Sequence, residues 1–547
     1  MNLRPPIEKN DDIELTITAL SSEGQGIGRI DGYAVFVPYV LAGERVRAHV
    51  IKVTSGYAVA KLTDILEKSA DRTENTCPSY PKCGGCTLRH LAYPAQLEAK
   101  TAQVRDALIR LGKFDAPAVL PCIGMDDPAH YRNKGSFPMG YGEGFKVTPG
   151  FFAQRSHRLI PVESCEIQSP EVMAVTAVVA EWANMYGIPP YDEYSRTGAL
   201  RHVMARSSEE GVLALVVTTG RLSHSNELVE ALKRSIPRLV GVVHNINSKD
   251  TNVILGDKFI TLWGNDRLNT RIAGHSFSAS MASFLQVNPI QTEKLYGCAL
   301  EFLSLNGDER VADVYCGIGT ITLMLAEHCA YVTGIECVPA AIADAKANAE
   351  KNGISNVEFI CDTAESALPT LVEEGMRLDA AVIDPPRKGC ERPALDALAD
   401  SGVERIVYVS CNPATMARDC RVLADRGYEL IKAQPVDMFP NTHHVETVVL
   451  LSKGEIDSKK VRVEFSLEDM DMSKFQDGAT YPQIKEYVLE HTGLKVSSLY
   501  ISQVKRKCGL EVGQNYNLSK KENPKVPQCP PEKEAAIREA LNHFGML

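Results

Sequence analysis

The stretch Ile406-Val-Tyr-Val-Ser-Cys-Asn-Pro413 has the pattern of a buried parallel strand followed at once by polar residues. The apolar run over residues 406–409 predicts the strand, and Pro413 disfavours helical geometry at Asn412, which ends the strand cleanly. In open α/β sheets, chemistry takes place just beyond the carboxyl ends of the strands. Cys411 is therefore predicted to lie where a substrate and a cofactor would meet. A lone cysteine is more often a buried core residue, so its neighbours decide between the two interpretations.

Strand and helix patterns alternate throughout residues 309–451. A Gly-x-Gly turn at Gly317 and Gly319 separates the first strand from a helix that begins near Thr320. Strands that alternate with helices are typical of a doubly wound sheet. The predicted strands span residues 309–316, 331–336, 357–362, 378–384, 406–409, 428–434 and 445–451.

Acidic residues at the ends of these strands indicate a nucleoside ligand. Glu336 ends the second strand, where its carboxylate could accept both hydroxyls of a ribose, and Asp362 ends the third, near the place of an adenine. A dinucleotide-binding turn would carry a third glycine where this chain has Thr322. An adenosine held without a pyrophosphate indicates S-adenosylmethionine as the cofactor.

Residues 8–68 predict a small closed barrel of the OB type. Short strand patterns broken by glycine fill this segment, and it shows no helical pattern. Arg45, Arg47 and His49 alternate along one strand and could form a basic face for RNA. A solvated strand face explains the same pattern equally well.

Cys77, Cys83 and Cys86 lie within ten residues, in the spacing C-x5-C-x2-C. The surrounding glycines and prolines predict a surface loop, and this spacing predicts a metal site rather than unrelated buried thiols. Cys165 is the expected fourth ligand, and Cys122 is the nearer competitor. An iron–sulfur cluster and a zinc ion are both compatible with four cysteines. The presence of only one C-x2-C pair argues against a zinc site built from two such pairs.

Residues 69–275 are predicted to form a central α+β domain that contains the cysteine loop. Basic and aromatic residues are interleaved in it, and RNA loops need this combination for phosphate contact and base stacking. The net charge of −10 gives no general support for nucleic-acid binding, but one basic face would be enough. A solvated surface explains the same pattern equally well. The residues concerned are Tyr131, Arg132, Lys134, Phe137, Tyr141, Phe151, Phe152, Arg155, His157, Arg158, Arg196, Arg201, His202 and Arg206.

Residues 455–547 are predicted to form a small C-terminal accessory module of unknown role. A strand at 461–465 and helices near 482–491 and 531–544 are expected in it. The chain has no run of eighteen apolar residues and no signal sequence, so we expect a cytoplasmic monomer without membrane contact. In that compartment the fifteen cysteines indicate metal binding, catalysis or core packing rather than disulfides.

These features together resemble the RNA uracil-5-methyltransferase family, over about residues 8–453. The barrel resembles a TRAM domain, and the cysteine loop is similar to the ligand set of the [4Fe-4S] cluster in the family's 23S rRNA members. The matching segments are Ser283-Phe-Leu-Gln-Val-Asn-Pro289, Asp313-Val-Tyr-Cys-Gly-Ile-Gly-Thr320, Gly334-Ile-Glu336, Asp384-Pro-Pro-Arg-Lys-Gly389, Ser410-Cys-Asn-Pro413 and His444-Val-Glu-Thr447.

The resemblance implies a role for each matching residue. Residues 276–453 would form the class I methyltransferase domain, with Cys411 as the nucleophile and Glu446 as the base that removes the C5 proton. The [4Fe-4S] cluster would be held by Cys77, Cys83, Cys86 and Cys165. S-adenosylmethionine would be held by Gln286, Tyr315, Glu336 and Asp384.

Reaction chemistry supports these two catalytic roles independently. Uracil C5 is a poor nucleophile until a thiolate adds to C6, and a base must later remove the C5 proton. We therefore expect methylation of uridine C5 in RNA, most readily 23S rRNA. A tRNA substrate, a redox protein that uses the cluster, and an RNA-binding assembly factor are the alternatives.

Overall fold

The computed structural model describes residues 5–154, 156–453, 481–492, 494–508 and 529–544. The chain forms two compact units, Met1–Ile456 and Asp457–Leu547. In the described part of the chain, no helix is long and apolar enough to cross a membrane.

A closed five-stranded barrel opens the first unit, as the glycine-broken strand patterns predict. Along one strand, Val46, Ala48 and Val50 fill the barrel interior while the residues between them face outward. Arg47 and His49, which the sequence places on a basic face, pair with Glu14 and Asp12 of a neighbouring strand. The strands are β1 (Asp12–Leu20), β2 (Gly26–Ile30), β3 (Tyr33–Val37), β4 (Arg45–Val53) and β5 (Tyr57–Glu67), in the order β1-β2-β3-β5-β4.

A long helix, α1 (Tyr93–Arg110), joins the barrel to a seven-stranded sheet, here called the central sheet. Helices α2 (Pro170–Met185) and α3 (Ser225–Ser235) pack on one face of this sheet. The strand order is β12-β11-β10-β9-β6-β7-β8, and only β10 and β11 are parallel neighbours. The strands are β6 (Lys134–Tyr141), β7 (Val147–Phe152), β8 (Leu159–Pro161), β9 (Leu200–Ser208), β10 (Gly211–Thr218), β11 (Leu239–Ile246) and β12 (Lys258–Gly264).

A two-stranded hairpin, β13 (Arg267–Ile272) and β14 (His275–Ser280), connects the central sheet to the next one. Leu268 packs against the central sheet, whereas Phe277 packs against the following α/β layer. The hairpin is therefore shared by two cores, and its second strand begins at the position where the sequence predicts a domain boundary.

The second seven-stranded sheet is the doubly wound sheet that the alternating patterns predict. Its strand order is β17-β16-β15-β18-β19-β21-β20, and β21 alone runs antiparallel to both of its neighbours. Its strands are β15 (Arg310–Val314), β16 (Tyr331–Glu336), β17 (Val357–Cys361), β18 (Ala380–Ile383), β19 (Arg405–Ser410), β20 (Glu429–Val436) and β21 (Glu446–Ser452). Its helices are α4 (Pro289–Leu303), α5 (Thr320–Ala326), α6 (Pro339–Lys351), α7 (Ala364–Glu373), α8 (Arg392–Asp400) and α9 (Pro413–Asp425).

The described part of the second unit contains helices α10 (Tyr481–Thr492), α11 (Ser498–Lys507) and α12 (Pro531–His543). Ile484, Val488, Ile501 and Ile537 share one small core. The helices near 482–491 and 531–544 are therefore confirmed, and α11 is an addition. The strand expected at 461–465 lies outside the described residues.

Candidate active site

Four neighbouring strands of the doubly wound sheet deliver polar side chains to one edge. Strand β15 leads into Tyr315, β16 ends in Glu336, β18 leads into Asp384 and β19 leads into Cys411. Because these strands are parallel neighbours, their carboxyl ends open into one crevice. The chain order reverses at β15, between β16 and β18, where such folds place their ligands.

The antiparallel strand β21 brings Glu446 to the same edge. Ser410 pairs with Thr447, so Cys411 and Glu446, the next residues along the two strands, meet beyond the paired ends. Glu446 is buried, with 4% of its surface exposed, and Cys411 is half-buried. The sequence motifs thus place the thiol and the carboxyl group in one site.

Charged neighbours surround the Cys411 thiol. Burial raises its pKa to about 11, and the carboxylates of Glu446 and Asp384 add to the rise, while the Arg387 guanidinium opposes it. Arg387 belongs to the loop that follows β18, and Asn412 donates to its carbonyl oxygen at 3.3 Å. Arg387 is therefore the cation that favours a thiolate at this position.

The two carboxyl groups beside the thiol hold protons unusually well. Burial raises the pKa of Glu446 to about 8, with a further contribution from Asp384, and Arg387 again opposes the rise. Burial raises the pKa of Asp384 to about 7, and Asp313 adds to it. A carboxyl group with a pKa near 8 is a competent proton acceptor close to neutral pH.

The Gly-x-Gly loop after β15 is shaped to receive a ligand. Gly317 and Gly319 both have positive φ, and a Cβ at Gly317 would meet no atom within 4 Å, so the loop faces open space. Glu336 accepts from the backbone N–H of Gly317 at 3.3 Å and of Val338 at 2.9 Å. Tyr315, also at positive φ, donates to Glu365 at 3.5 Å. The Glu336 carboxylate is an acceptor of the kind that the ribose hydroxyls of S-adenosylmethionine need.

Two buried residues in this site were missed by the sequence reasoning. Asp313 is fully buried; it accepts from Thr322 at 2.5 Å, and its other carboxyl oxygen has no partner among the described residues. Tyr296 hydrogen-bonds Gln286, and its pKa is raised by burial first and then by Asp384, Asp313 and Glu446. An acid inside an apolar strand was the available signal for Asp313, whereas Tyr296 occupies an ordinary apolar position of α4.

The segment before Glu446 is fixed by the cysteine loop and by α1. Asn441 accepts from the backbone N–H groups of Thr87 and Leu88 at 3.0 and 2.9 Å. The His443 N–H donates to the Thr87 hydroxyl at 2.8 Å. Lys100, fully buried on α1, pairs with the buried Asp437. The strand end that carries Glu446 is therefore held by the N-terminal part of the chain.

The four predicted metal ligands lie in one patch. Burial raises the pKa of Cys86 to about 12, and the neighbouring Cys165, Cys83 and Cys77 add to the rise. Cys165 and Cys86 also share a small core with Met125, Tyr131 and Ile167. Within this loop, Gly84 has positive φ, and a Cβ on it would approach the Gln154 backbone nitrogen to 3.2 Å. Glycine is therefore needed where the loop turns.

The competing ligand, Cys122, lies in a different core, where its thiol faces Asp437 and Lys100. Among the described residues, no group of three or more histidine, cysteine or acidic side chains is arranged to hold a single metal ion. The four thiols of the cysteine patch are nevertheless a donor set of the kind that iron–sulfur clusters use.

Comparison with known proteins identifies the family. Residues 92–454 match the tRNA (Uracil-5-)-methyltransferase family, and residues 8–63 match the TRAM domain. The chain belongs to the RNA uracil-5-methyltransferase family. It is an S-adenosylmethionine-dependent methyltransferase of RNA, with an N-terminal TRAM barrel.

The alignments with two relatives cover nearly the whole length of each relative. A protein of Halalkalibacterium halodurans and one of Clostridium acetobutylicum, both named as uncharacterized RNA methyltransferases, are 47% and 46% identical to this chain. Each alignment covers 82% of this chain and 98% of the relative. The tRNA (uracil-54, C5)-methyltransferase of Pyrococcus abyssi, solved with S-adenosyl-L-homocysteine, is 25% identical with a TM-score of 0.66, over 80% of this chain and 99% of that one.

Proposed function

We propose that the protein methylates C5 of uridine in 23S rRNA, with Cys411 as the nucleophile and Glu446 as the base. The observation that carries this proposal is the meeting of these two side chains beyond the paired ends of β19 and β21. They stand beside Asp384, at the strand edge where the Gly-x-Gly loop opens. One thiol and one carboxyl group are the two groups that the reaction requires.

Each group has one task in this mechanism. The Cys411 thiolate, favoured by Arg387, adds to C6 of the uracil ring and forms a carbon–sulfur bond, which makes C5 nucleophilic. S-adenosylmethionine would supply the methyl group as an electrophilic sulfonium, whose methyl–sulfur bond breaks to leave the neutral thioether S-adenosylhomocysteine. After C5 has taken the methyl group, Glu446 removes the C5 proton, the C6–sulfur bond breaks, and the thiolate is released.

The same edge contains the residues proposed to hold the cofactor. Glu336 would accept from the ribose hydroxyls, and Asp384 would face the cationic end of the molecule. Tyr315 and Gln286 would flank it on either side of the Gly-x-Gly loop.

A tRNA substrate is the second candidate. The similarity to the P. abyssi tRNA enzyme favours it. The four-cysteine patch favours 23S rRNA, because the loop resembles that of the family's 23S rRNA members. The two substrates share one mechanism, so only the RNA itself distinguishes them.

The test incubates the protein with S-adenosylmethionine and either unmodified 23S rRNA or unmodified tRNA, followed by mass-spectrometric mapping of 5-methyluridine. We expect new methyl groups at one or two uridines of 23S rRNA and none when Cys411→Ala is used. Methylation of tRNA alone would show that tRNA, not 23S rRNA, is the substrate, and the proposed mechanism would stand. Full activity of Cys411→Ala would overturn the mechanism.

We further propose that Cys77, Cys83, Cys86 and Cys165 hold a [4Fe-4S] cluster. Anaerobically purified protein should contain four irons and four sulfides, by the definition of that cluster, with a broad visible absorption band. Cys86→Ser should lose this band, and Cys122→Ser should retain it. Zinc without iron in the purified protein would contradict the cluster and favour the alternative metal.

A further inference from the structure

One face of the central sheet is only partly occupied by protein. Side chains alternate between the two faces of a strand, so Phe137 and Val203 face the helices while Ser136 and His202 face the other side. The β13–β14 hairpin covers this second face around Met204. Near Ser136 and His202 the same face opens into a cavity of about 290 Å³.

Aromatic rings line one wall of the cavity. Phe151 and Phe152 come from the end of β7, and the rings of Phe152 and His157 lie with centroids 5.6 Å apart. Phe152 is 37% exposed, so its ring is available to a ligand. A second cavity, of about 510 Å³, shares Arg201 and His157 with the first and extends past Tyr191 and Tyr194. Together they form one opening, which we call the central cleft.

The floor of the central cleft is polar and fixed in place. Arg201, with 5% of its surface exposed, donates to the carbonyl groups of Asn247, Lys249 and Thr251 at 3.0, 2.8 and 3.2 Å. Its guanidinium lies over the Tyr191 ring at 4.7 Å. These bonds hold the segment that carries Asn252 to Ile254, which forms the opposite wall.

Three polar atoms of the lining residues have no hydrogen-bond partner among the described residues: Ser136 Oγ, Arg201 Nε and His202 Nδ1. His202 is nine-tenths buried, and burial lowers its pKa to about 4, so the neutral ring offers one donor and one acceptor. Buried polar atoms without partners are unfavourable. Ser136, Glu193, His202 and Asn252 also bring polar groups to the lining, so an occupant that both donates and accepts hydrogen bonds fits it better than a purely apolar one.

The charges of the lining argue against a phosphate group. Glu193 lies 2.9 Å from the His157 ring, and Asp250 pairs with the Arg196 guanidinium at 2.5 Å, so two carboxylates stand at the opening. A neutral ring with N–H groups suits these acceptors, whereas a phosphate would meet two carboxylates beside the single buried guanidinium of Arg201. Proteins recognise unpaired RNA bases by stacking them on aromatic rings and bonding their edges.

We propose that the central cleft binds an unpaired purine base of the RNA, outside the methylation site. The two-ring base would stack on Phe152 and present its edge to His202, Glu193 and Asn252. The size of the cleft is in the range of ligand sites. The cleft would thereby determine which RNA is methylated, and this role rests on the proposed RNA methyltransferase function.

The kinetic test compares Phe152→Ala with Phe259→Ala, a control that removes a similarly exposed ring, 44% exposed, from the far edge of the same sheet. Loss of one stacked base should raise KM for RNA about 5- to 150-fold. The value of kcat should stay within about 2-fold of the parent, and Phe259→Ala should keep both constants. Asn252→Ala, a change at an exposed side chain, should also raise KM. Equal KM values for Phe152→Ala and Phe259→Ala would overturn the proposal.

A binding test is independent of methylation. The probe is a cytidine hexamer that carries a single 2-aminopurine and no uridine, so the methylation site has no target base. We expect quenching of the 2-aminopurine fluorescence by the full-length protein, and loss of this quenching in Phe152→Ala. No quenching by the parent protein, or equal quenching by the parent and the variant, would contradict base binding in the central cleft, even if the protein methylates RNA. Quenching without any methylation would retain the cleft and reject the proposed function.

Discussion

The molecule contains two seven-stranded sheets that present polar groups in different ways. In the doubly wound sheet, the groups stand where strands end: Cys411, Asp384 and Glu336 all follow parallel strands. In the central sheet, Ser136 and His202 lie within strands and point from one face. One sheet builds its site at an edge and the other builds its cleft on a face.

This difference separates chemistry from recognition. Strand ends of a parallel sheet converge, so they can bring a thiol, acids and a cation within electrostatic reach of one another. An exposed sheet face is broad and suits extended contact with a nucleic acid. Changes at the edge should therefore act on kcat, and changes on the face should act on KM.

The largest effect is expected from Glu446→Gln at the edge. The amide cannot accept the C5 proton, so turnover should fall at least about 100-fold. The Cys411–RNA adduct should accumulate after methyl transfer, as a slow-migrating band on a denaturing gel. The matched control is Glu429→Gln, at the exposed start of the neighbouring strand β20, which should turn over normally. Loss of turnover without an adduct would show that Glu446 acts before proton removal, in thiolate addition or methyl transfer.

The same substitution should change stability with pH. Because the folded-state pKa of Glu446 is raised to about 8, its stability contribution is present below pH 4.5 and is lost as the pH rises through 8. Glutamine does not ionise, so between pH 6 and pH 9 the stability of Glu446→Gln should rise relative to the parent by about 3 kcal/mol. Chemical denaturation at pH 6 and pH 9 gives the free energy of unfolding of both proteins. The same variant-minus-parent difference at both pH values would contradict the buried position of Glu446.

A smaller effect is expected from Arg387→Gln. Arg387 lowers the pKa values of both Cys411 and Glu446, so its loss should raise both. The single-turnover rate of the parent should increase as the pH rises through 8 and towards 11, because the reactive thiol must lose its proton. In Arg387→Gln this profile should shift upward by about one pH unit, a roughly tenfold slower reaction at pH 8. Lys388→Gln, the next residue and exposed, is the control.

Most of the edge was predictable from sequence, because Glu336, Asp384 and Cys411 stand at or just after the ends of apolar strands, whereas Glu446 begins one. The order of the predicted strands was enough to place Cys411 and Asp384 at this edge. Placing Glu446 there also required the family resemblance. The structure brings these residues together, but their catalytic roles stay predictions. Tyr296 gave no signal, since a tyrosine on an apolar helix face is typical of a core residue.

The central cleft was not predictable for a topological reason. Strand β9 pairs with β6, and about sixty residues separate them in the chain, so their register places Pro138 opposite His202 only after folding. The interleaved basic and aromatic residues made Phe151, Phe152, Arg201 and His202 candidates for RNA binding, but the sequence did not show that they line one cleft. The β13–β14 hairpin shows the same limit, because composition placed a domain boundary at residue 275, where two cores share one hairpin.

The smallest effect is expected from Arg201→Met on the face. The change removes the donors to the carbonyl groups of Asn247, Lys249 and Thr251 and keeps the length of the side chain. Amide hydrogen exchange over residues 247–254 should become about tenfold faster, which corresponds to about 1.4 kcal/mol. Arg238→Met is the control, because Arg238 is exposed in the turn before β11 and also donates to a carbonyl oxygen, that of Glu209. KM for RNA should rise with the faster exchange while kcat is kept. A loosened wall of the central cleft should weaken RNA binding but leave the Cys411 thiol and the Glu446 carboxyl group unchanged. A fall in kcat at unchanged KM would therefore show that the cleft and the active site do not act separately.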